Sequence, residues 1–314
     1  MAGVKPRALP PRIAERLSWQ EERKRGMALK LRKLSHALGV EVCDVNVAAP
    51  MSEAQFGEIY RAFLASNILL FRGQDITREQ HIEFSRRFGE LDRHEALPRD
   101  RHPDYPELLM VTNERKPDGS PSDTQYTGRQ WHSDLSFTTA PSLGSLLKSY
   151  AVPEVGGDTL FANMTMAYDA LSAGMKKLIA DLHGIHLSGT RKLANDHSGV
   201  ERMAEQKRLN PPVAQPVVRV HPETGRRALY IGEKVKRFDG MTEAESRPLI
   251  EYLVRHATRP EFVYRHQWRG NDILVWDNRN TLHQALGDFD ETQLRHMERT
   301  TVLGTPSGYV VAGG

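Results

Sequence analysis

His132 and Asp134, one residue apart in Gln130-Trp131-His132-Ser133-Asp134-Leu135-Ser136-Phe137, are metal-ligating residue types at strand spacing. On an extended chain, side chains two apart share a face. Imidazole and carboxylate would then stand side by side, with Ser133 turned away, and could fill two neighbouring positions on a metal ion. A mononuclear site with open positions needs a third ligand, and a second histidine would complete the two-His, one-carboxylate face that binds Fe(II) in non-haem oxygenases. His283 is the candidate: it follows a strand-length apolar run, Asp272 to Asp277, and a polar turn, Asn278-Arg279-Asn280. Beyond it Arg295, Met297 and Arg299 alternate with His296 and Glu298, which puts both arginines on one face of a following strand, a cationic wall beside the proposed metal. A His-x-Asp triplet alone is a weak signal, since such triplets arise by chance. The later histidine and the paired arginines give it weight.

The rest of the chain must position these groups. Its 314 residues are enough for a substantial core, and 39% hydrophobic with 26% charged residues is an ordinary globular composition. No apolar run approaches the roughly 20 residues that span a bilayer, and the N-terminus lacks the apolar core of a secretory signal; a cytoplasmic protein with no membrane association is expected. The single cysteine, Cys43, excludes an internal disulfide and a thiolate-rich metal site. Forty-three basic and 40 acidic residues nearly cancel, and no basic, aromatic-rich stripe or nucleic-acid motif stands out, so no nucleic-acid partner is expected.

Residues 1–30 stand apart as a basic, proline-containing extension, with Pro6, Pro10 and Pro11 among Lys5, Arg7 and Arg12. Its ordering would depend on a neighbouring surface, and a homo-oligomer is the expectation. Residues 31–314 are expected to form one catalytic domain. The pattern predicts short strands between Leu34 and Val47 around a turn at Gly39, a helix from Glu53 capped by Ser52, a strand over Asn67 to Phe71, and a second helix from Thr77 to a stop at Gly89. A strand over Leu108 to Asn113 and a polar loop from Glu114 to Gly128, placed to act as a lid, lead into the His132 stretch. Strands follow at Gly144 to Ala151 and Thr159 to Ala162, then one amphipathic helix over Thr165 to His183, a polar insert from Ser188 to Val213, strands at Val217 to Val220 and Ala228 to Ile231, a helix over Thr242 to Ala257 and a strand over Phe262 to Trp268. Many short strands with helices grouped around them indicate a mainly β fold with helical insertions, a β-sandwich or jelly roll. No GxGxxG after a strand and no phosphate loop is present, which argues against dinucleotide and ATP chemistry.

Over about residues 34–305 the chain resembles the taurine dioxygenase and 2,4-dichlorophenoxyacetate dioxygenase family of Fe(II)/2-oxoglutarate-dependent oxygenases. The matching stretches are Leu70-Phe71-Arg72-Gly73-Gln74, Phe88-Gly89-Glu90-Leu91, Trp131-His132-Ser133-Asp134, Gly156-Gly157-Asp158-Thr159, Trp276-Asp277-Asn278-Arg279 with His283, and Arg295 to Arg299. The resemblance implies a double-stranded β-helix, with Fe(II) held by His132, Asp134 and His283. It implies 2-oxoglutarate chelated to the metal, its distal carboxylate held by Arg295 with help from Thr159, and O2 as the third reactant. Arg299 and His94 match residues that hold the substrate's own anionic group, although Leu97 stands where the taurine enzymes carry a tyrosine. The implied reaction hydroxylates a small organic anion, an aryloxyalkanoate-type carboxylate or taurine-like sulfonate, at a carbon next to a heteroatom, and gives succinate and CO2. Related halogenases lack the carboxylate ligand, so Asp134 argues for hydroxylation.

Blander readings stand beside these. His94 alone would be a solvated loop histidine; His183, His186, His197, His221, His256, His266 and His296 are assigned to surface or packing; Arg295 and Arg299 could be structural ion-pair partners. The rival functions are a cupin-like metal-binding protein without turnover and the same chemistry on a macromolecule.

Overall fold

The computed structural model describes residues 29–98, 100–188 and 208–311; residues 1–28 of the N-terminal extension, and most of the polar insert with His197, lie outside them. The chain opens with β1 (Lys30–Lys33) and β2 (Val40–Cys43), an antiparallel pair turned at Gly39, whose φ of +93° suits glycine. Helix α1 (Glu53–Ser66) starts with a reciprocal capping box between Ser52 and Gln55. It ends where Asn67 takes φ 66°, delivering the wholly buried run Ile68-Leu69-Leu70-Phe71 as β3 (Ile68–Phe71). Because β2 and β3 run parallel, a crossover must join them, and α1 is that crossover. Helix α2 (Arg78–Arg86) repeats the capping box with Thr77 and Gln80.

Strands β4 (Leu109–Thr112), β5 (Gly144–Ala151) and β6 (Thr159–Asn163) precede helices α3 (Met164–Asp169) and α4 (Ala173–Ile179). Then come β7 (His183–His186), β8 (Val213–Pro216), β9 (Val218–Val220), β10 (Arg227–Leu229), β11 (Val235–Phe238), α5 (Glu243–Ala257), β12 (Val263–His266), β13 (Ile273–Asp277), β14 (Thr281–Ala285), β15 (His296–Val302) and β16 (Tyr309–Val310). Seven strands form the large sheet in the order β1-β2-β3-β13-β5-β15-β4, and a small sheet runs β12-β6-β14. A four-stranded sheet, β11-β7-β8-β16, and the β9-β10 hairpin complete the set.

Strand β13 has a different core on each side, as period-two alternation requires. Ile273 and Val275 pack with Phe56, Phe63 and Phe88 beneath α1 and α2. Leu274 and Trp276 face the other way and join Leu147, Met297 and Phe161, closing the large sheet over the small one. From β13 the turn Asn278-Arg279-Asn280 crosses between those two sheets, so β14 begins in the small one. No helix among the described residues is long and apolar enough to cross a membrane.

Two expectations need correction. The stretch Thr165 to His183 is not one helix: the first turn is capped by Asn163, the chain breaks after Asp169, and Ser172 caps a second helix at Met175 N. Leu178, expected on the buried stripe, is 59% exposed, and His183 already belongs to β7. Nor is Gln130 to Phe137 a strand. Only His132 makes a bridge, to His283, after which the backbone turns, with Leu135 at φ 51°.

On the α2 side of β15, Glu298 is fully buried and receives Nε and Nη2 of Arg78 at 2.7–2.9 Å. Burial pushes this carboxyl up, but hydrogen bonds from His296 and Arg78 outweigh it and bring it down to about 2. A depressed carboxylate contributes stability above its unfolded pKa and loses it as pH falls toward the folded value. Melting temperature should therefore fall between pH 5 and pH 2 to 3. The wild type's advantage over Glu298→Gln, large at pH 7, should shrink across the same window in paired thermal melts.

Candidate metal and anion site

Reciprocal backbone hydrogen bonds, His132 N to His283 O at 3.0 Å and His283 N to His132 O at 2.9 Å, fix the two imidazoles against each other with ring centroids 4.1 Å apart. Strand β14 supplies His283 and is registered on β6 through the pair His283 and Phe161; Phe161 and Trp276 wall the ring. Because the chain turns after His132, the Asp134 carboxylate swings back toward both rings. Its Oδ1 lies 3.8 Å from each Nε2, and one ligand atom from each of the three residues falls within 4.8 Å of the others.

The sites of the protons suit metal binding. His132 Nδ1 lies 2.6 Å from the Gln130 carbonyl, which can only accept, so Nδ1 carries the proton and Nε2 offers its lone pair. Burial, then the neighbouring His283, holds His132 well below the usual imidazole range, and burial brings His283 down to about 4, so both rings are neutral at pH 7. Burial would raise Asp134, but Arg299, then His283 and His132, with the Ser145 hydroxyl, hold it well below the carboxylate range. Two neutral imidazoles and one ionised carboxylate are the donor set that Fe(II) takes.

Asn278, expected only as a turn residue, is the part of the site least visible in the sequence. Its Oδ1 accepts from Asp134 N at 3.1 Å and Trp276 Nε1 at 3.0 Å, and its Nδ2 donates to Ser145 Oγ at 2.9 Å. Ser145 Oγ in turn donates to Asp134 Oδ2 at 2.8 Å, while Ser133 Oγ reaches the Asn278 carbonyl at 2.7 Å. The next residues anchor the turn from behind: Asp277 accepts from Arg279 at 2.7–2.8 Å and lies 3.0 Å from His221 Nε2, all three buried. The assignment of His221 to packing agrees with this. An Asp-Asn-Arg run after a buried strand was the available signal, but no periodicity marks it.

Arg299 lies in β15 and Arg295 immediately precedes that strand, and both are buried. Arg295 donates Nε to Gly157 O at 3.0 Å. Burial, then the nearby Arg129, lowers its guanidinium to about 10, a cation with no ion-pair carboxylate among the described residues. The turn it leans on requires Gly156 and Gly157, at φ +82° and +69°; a Cβ on Gly156 would lie 2.1 Å from Asp288 O. Thr159 follows at the start of β6, its Oγ1 accepting from Trp268 Nε1 at 3.0 Å, which leaves the hydroxyl proton free to donate. Val111, Thr124, Arg129, Leu286 and Phe289 line a concavity that reaches Arg295.

Arg299 donates Nη1 to Asp134 Oδ1, and its Nε is buried with no partner. His94, which alone would read as a solvated loop residue, is wholly buried at φ 56°, with Nε2 3.2 Å from Glu107 O and Nδ1 3.3 Å from Asp92. Asp92 lies within electrostatic reach of Arg299. His186 and His266 are buried and His183, His256 and His296 half-buried, all outside the triad.

Asn278→Ala should lower divalent-metal affinity about 10- to 100-fold, as loss of ligand-orienting partners does, while the protein still melts cooperatively. Anaerobic Fe(II) titration checks this; wild-type affinity in the variant would remove Asn278 from the site.

The profile of the family described as "Taurine catabolism dioxygenase TauD, TfdA family" matches residues 30–301. An alpha-ketoglutarate-dependent 2,4-dichlorophenoxyacetate dioxygenase from Cupriavidus pinatubonensis is 34% identical over 277 residues, covering 85% of this chain and 94% of that protein. An alpha-ketoglutarate-dependent sulfate ester dioxygenase from Pseudomonas putida is 32% identical, covering 88% and 90%. Among solved structures, AAD-2 in complex with Mn(II) and N-oxalylglycine superposes with a TM-score of 0.78 at 31% identity, over 89% of this chain and 99% of that one. The triad, its neutral imidazoles and the buried arginines thus belong to an alpha-ketoglutarate-dependent dioxygenase, and this chain is a member of the TauD, TfdA family.

Proposed function

We propose that the protein hydroxylates a small organic anion at a carbon next to a heteroatom, with an aryloxyalkanoate-type carboxylate or a sulfonate or sulfate ester as substrate. The observation that carries this reading is a pair of buried arginines four residues apart, Arg299 in β15 bonded to Asp134 of the triad and Arg295 just before that strand on the Gly157 turn. A diacid cosubstrate and an anionic substrate must be held apart beside one metal, and two separately placed cations do that. His132, Asp134 and His283 would hold Fe(II). Arg295 would clamp the distal carboxylate of 2-oxoglutarate with its planar fork, and the Thr159 hydroxyl, oriented by Trp268, would donate to the same group. Arg299 would meet the substrate's anionic head, with His94 bounding that region through Asp92.

Bound Fe(II) with 2-oxoglutarate and O2 supplies the oxidising power: the cosubstrate leaves as succinate and CO2, and one oxygen atom enters a substrate C–H bond. The chain's own work is placement and exclusion of water. Trp276 and Phe161 close the apolar side of the site, and Asn278 and Ser145 hold the Asp134 carboxylate in position. Hydroxylation next to oxygen or sulfur gives a product that falls apart into a carbonyl compound and the released heteroatom group. The large and small sheets enclosing the site are read as a double-stranded β-helix, which would place the ligands at its open end.

Succinate release measured across aryloxyalkanoates, alkylsulfonates and alkyl sulfates with Fe(II) and 2-oxoglutarate tests the reading. A metal-binding protein without turnover would release none. His132→Ala and Asp134→Ala should fall to background, as should the chelator-treated wild type. Arg295→Ala should raise the apparent 2-oxoglutarate requirement about 30-fold or more, the scale of losing one partner of a buried charge pair, whereas Arg299→Ala should mainly raise KM for the organic substrate. Exchanged phenotypes would reverse the roles of the two arginines.

A further inference from the structure

The reading of a small-anion site leaves Lys234, a half-buried cation, without a role. Lys234 ends the turn Gly232-Glu233-Lys234 that leads into β11. That turn is pressed onto the residues just before and at the first metal ligand. Glu233 N donates to Trp131 O at 3.0 Å, and a Cβ on Gly232 would lie 2.8 Å from the same oxygen and 3.5 Å from His132 Cα. Val235 N closes the turn on Gly232 O at 3.0 Å, and Leu187 N donates to Lys234 O at 3.1 Å, so the backbone is fixed from two sides.

The side chain carries its ammonium to 4.8 Å from the ring centroid of Phe137, a buried residue three positions beyond Asp134. No carboxylate among the described residues forms an ion pair with Lys234. The acid whose field reaches it is Asp134, already committed to the triad and to Arg299. Its own field reaches both imidazoles, opposing their protonation. Burial, the largest influence, brings the ammonium down to about 8. A half-buried cation without its own counter-ion is partly withdrawn from water in the free protein, and an entering anion offsets that loss.

We infer that Lys234 is a second anchor for the anionic head of the organic substrate, acting together with Arg299 and setting which heads the site accepts. The inference rests on the small-anion reading above. The two cations complement each other: Arg299 has one Nη on Asp134 and an unpartnered Nε, so it offers a directional edge, while Lys234 offers a compact charge on a flexible stem. Together they suit a monoanionic oxoanion head with two or more acceptor oxygens, which carboxylates, sulfonates and sulfate esters share. Arg295 remains for the cosubstrate.

The test uses full-length protein loaded anaerobically with Fe(II) and 2-oxoglutarate and titrated by calorimetry with phenoxyacetate and with hexyl sulfate. The probe that binds the wild type more tightly identifies the preferred head. Lys234→Met should weaken that probe about 10- to 100-fold, the range for a charged hydrogen bond, and Lys234→Arg should restore part of the loss. Binding of 2-oxoglutarate, titrated separately, should stay within about twofold. Lys177→Met, which removes a charge from an exposed helical position, should change nothing. Lys234→Gln is the second neutral variant should Lys234→Met fail to melt cooperatively. Wild-type affinity for the probe in a folded neutral variant overturns the inference and leaves the proposed function standing. Equal loss of 2-oxoglutarate binding also overturns it, since the cation would then serve the cosubstrate. A wild type that binds neither probe removes the small-anion reading and the inference with it.

Discussion

The site depends on one pair of backbone hydrogen bonds, those exchanged by His132 and His283. In an antiparallel pair, residues that exchange both bonds stand directly opposite, so their side chains leave the same face. A slip of one residue in β14 would turn His283 to the opposite face. Register is therefore the quantity the surrounding structure must protect. It does so from both ends, through the pairing of β14 with β6 and through the Asp277 to Asn280 turn, whose polar side chains are each hydrogen-bonded to buried partners. Asn278 links that turn to Asp134, so the element that sets the second histidine also sets the carboxylate.

The region of β15 shows how the protein separates a charge with a dedicated partner from charges without one. On the α2 side, Glu298 is matched by Arg78. On the other, Arg299 leans on the carboxylate of Asp134, and Arg295, just before the strand, has only a peptide oxygen at Nε. Buried cations without dedicated acids weaken the free protein and strengthen anion binding. Two-residue periodicity lets one strand carry both kinds without mixing them.

That periodicity is also why so much was legible. Alternating arginines, capping boxes at Ser52 and Thr77, and the apolar run of β13 are local signals, and each element lies within a few residues of its expected place. The His132 stretch failed as a strand because its geometry is imposed from a distance: Asn278 and Ser145 pull Asp134 back toward the rings, and nothing in the neighbouring residues announces that turn. The break in the expected Thr165 helix has the opposite origin, a local competition in which Ser172 caps a new helix. The burial of His94, a residue singled out only by the family resemblance, and the placement of Lys234 were hidden for a third reason. A lone polar residue in a loop or turn carries no pattern, and its burial follows from how the sheets close over it.

These three origins correspond to different freedoms. His132, Asp134, His283 and Arg295 sit on paired strands or are tied to them by hydrogen bonds, so their positions are set by the fold itself. Two further polar groups, His94 and Lys234, stand on the Asp92 to Leu97 loop and the Gly232 to Lys234 turn, outside the strands. The second of these rests on Trp131 O and His132 Cα, so its packing is coupled to the His132 backbone. Placement by strand pairing and placement by loop packing are thus different parts of the fold, and the second is the part a sequence pattern is least able to reveal.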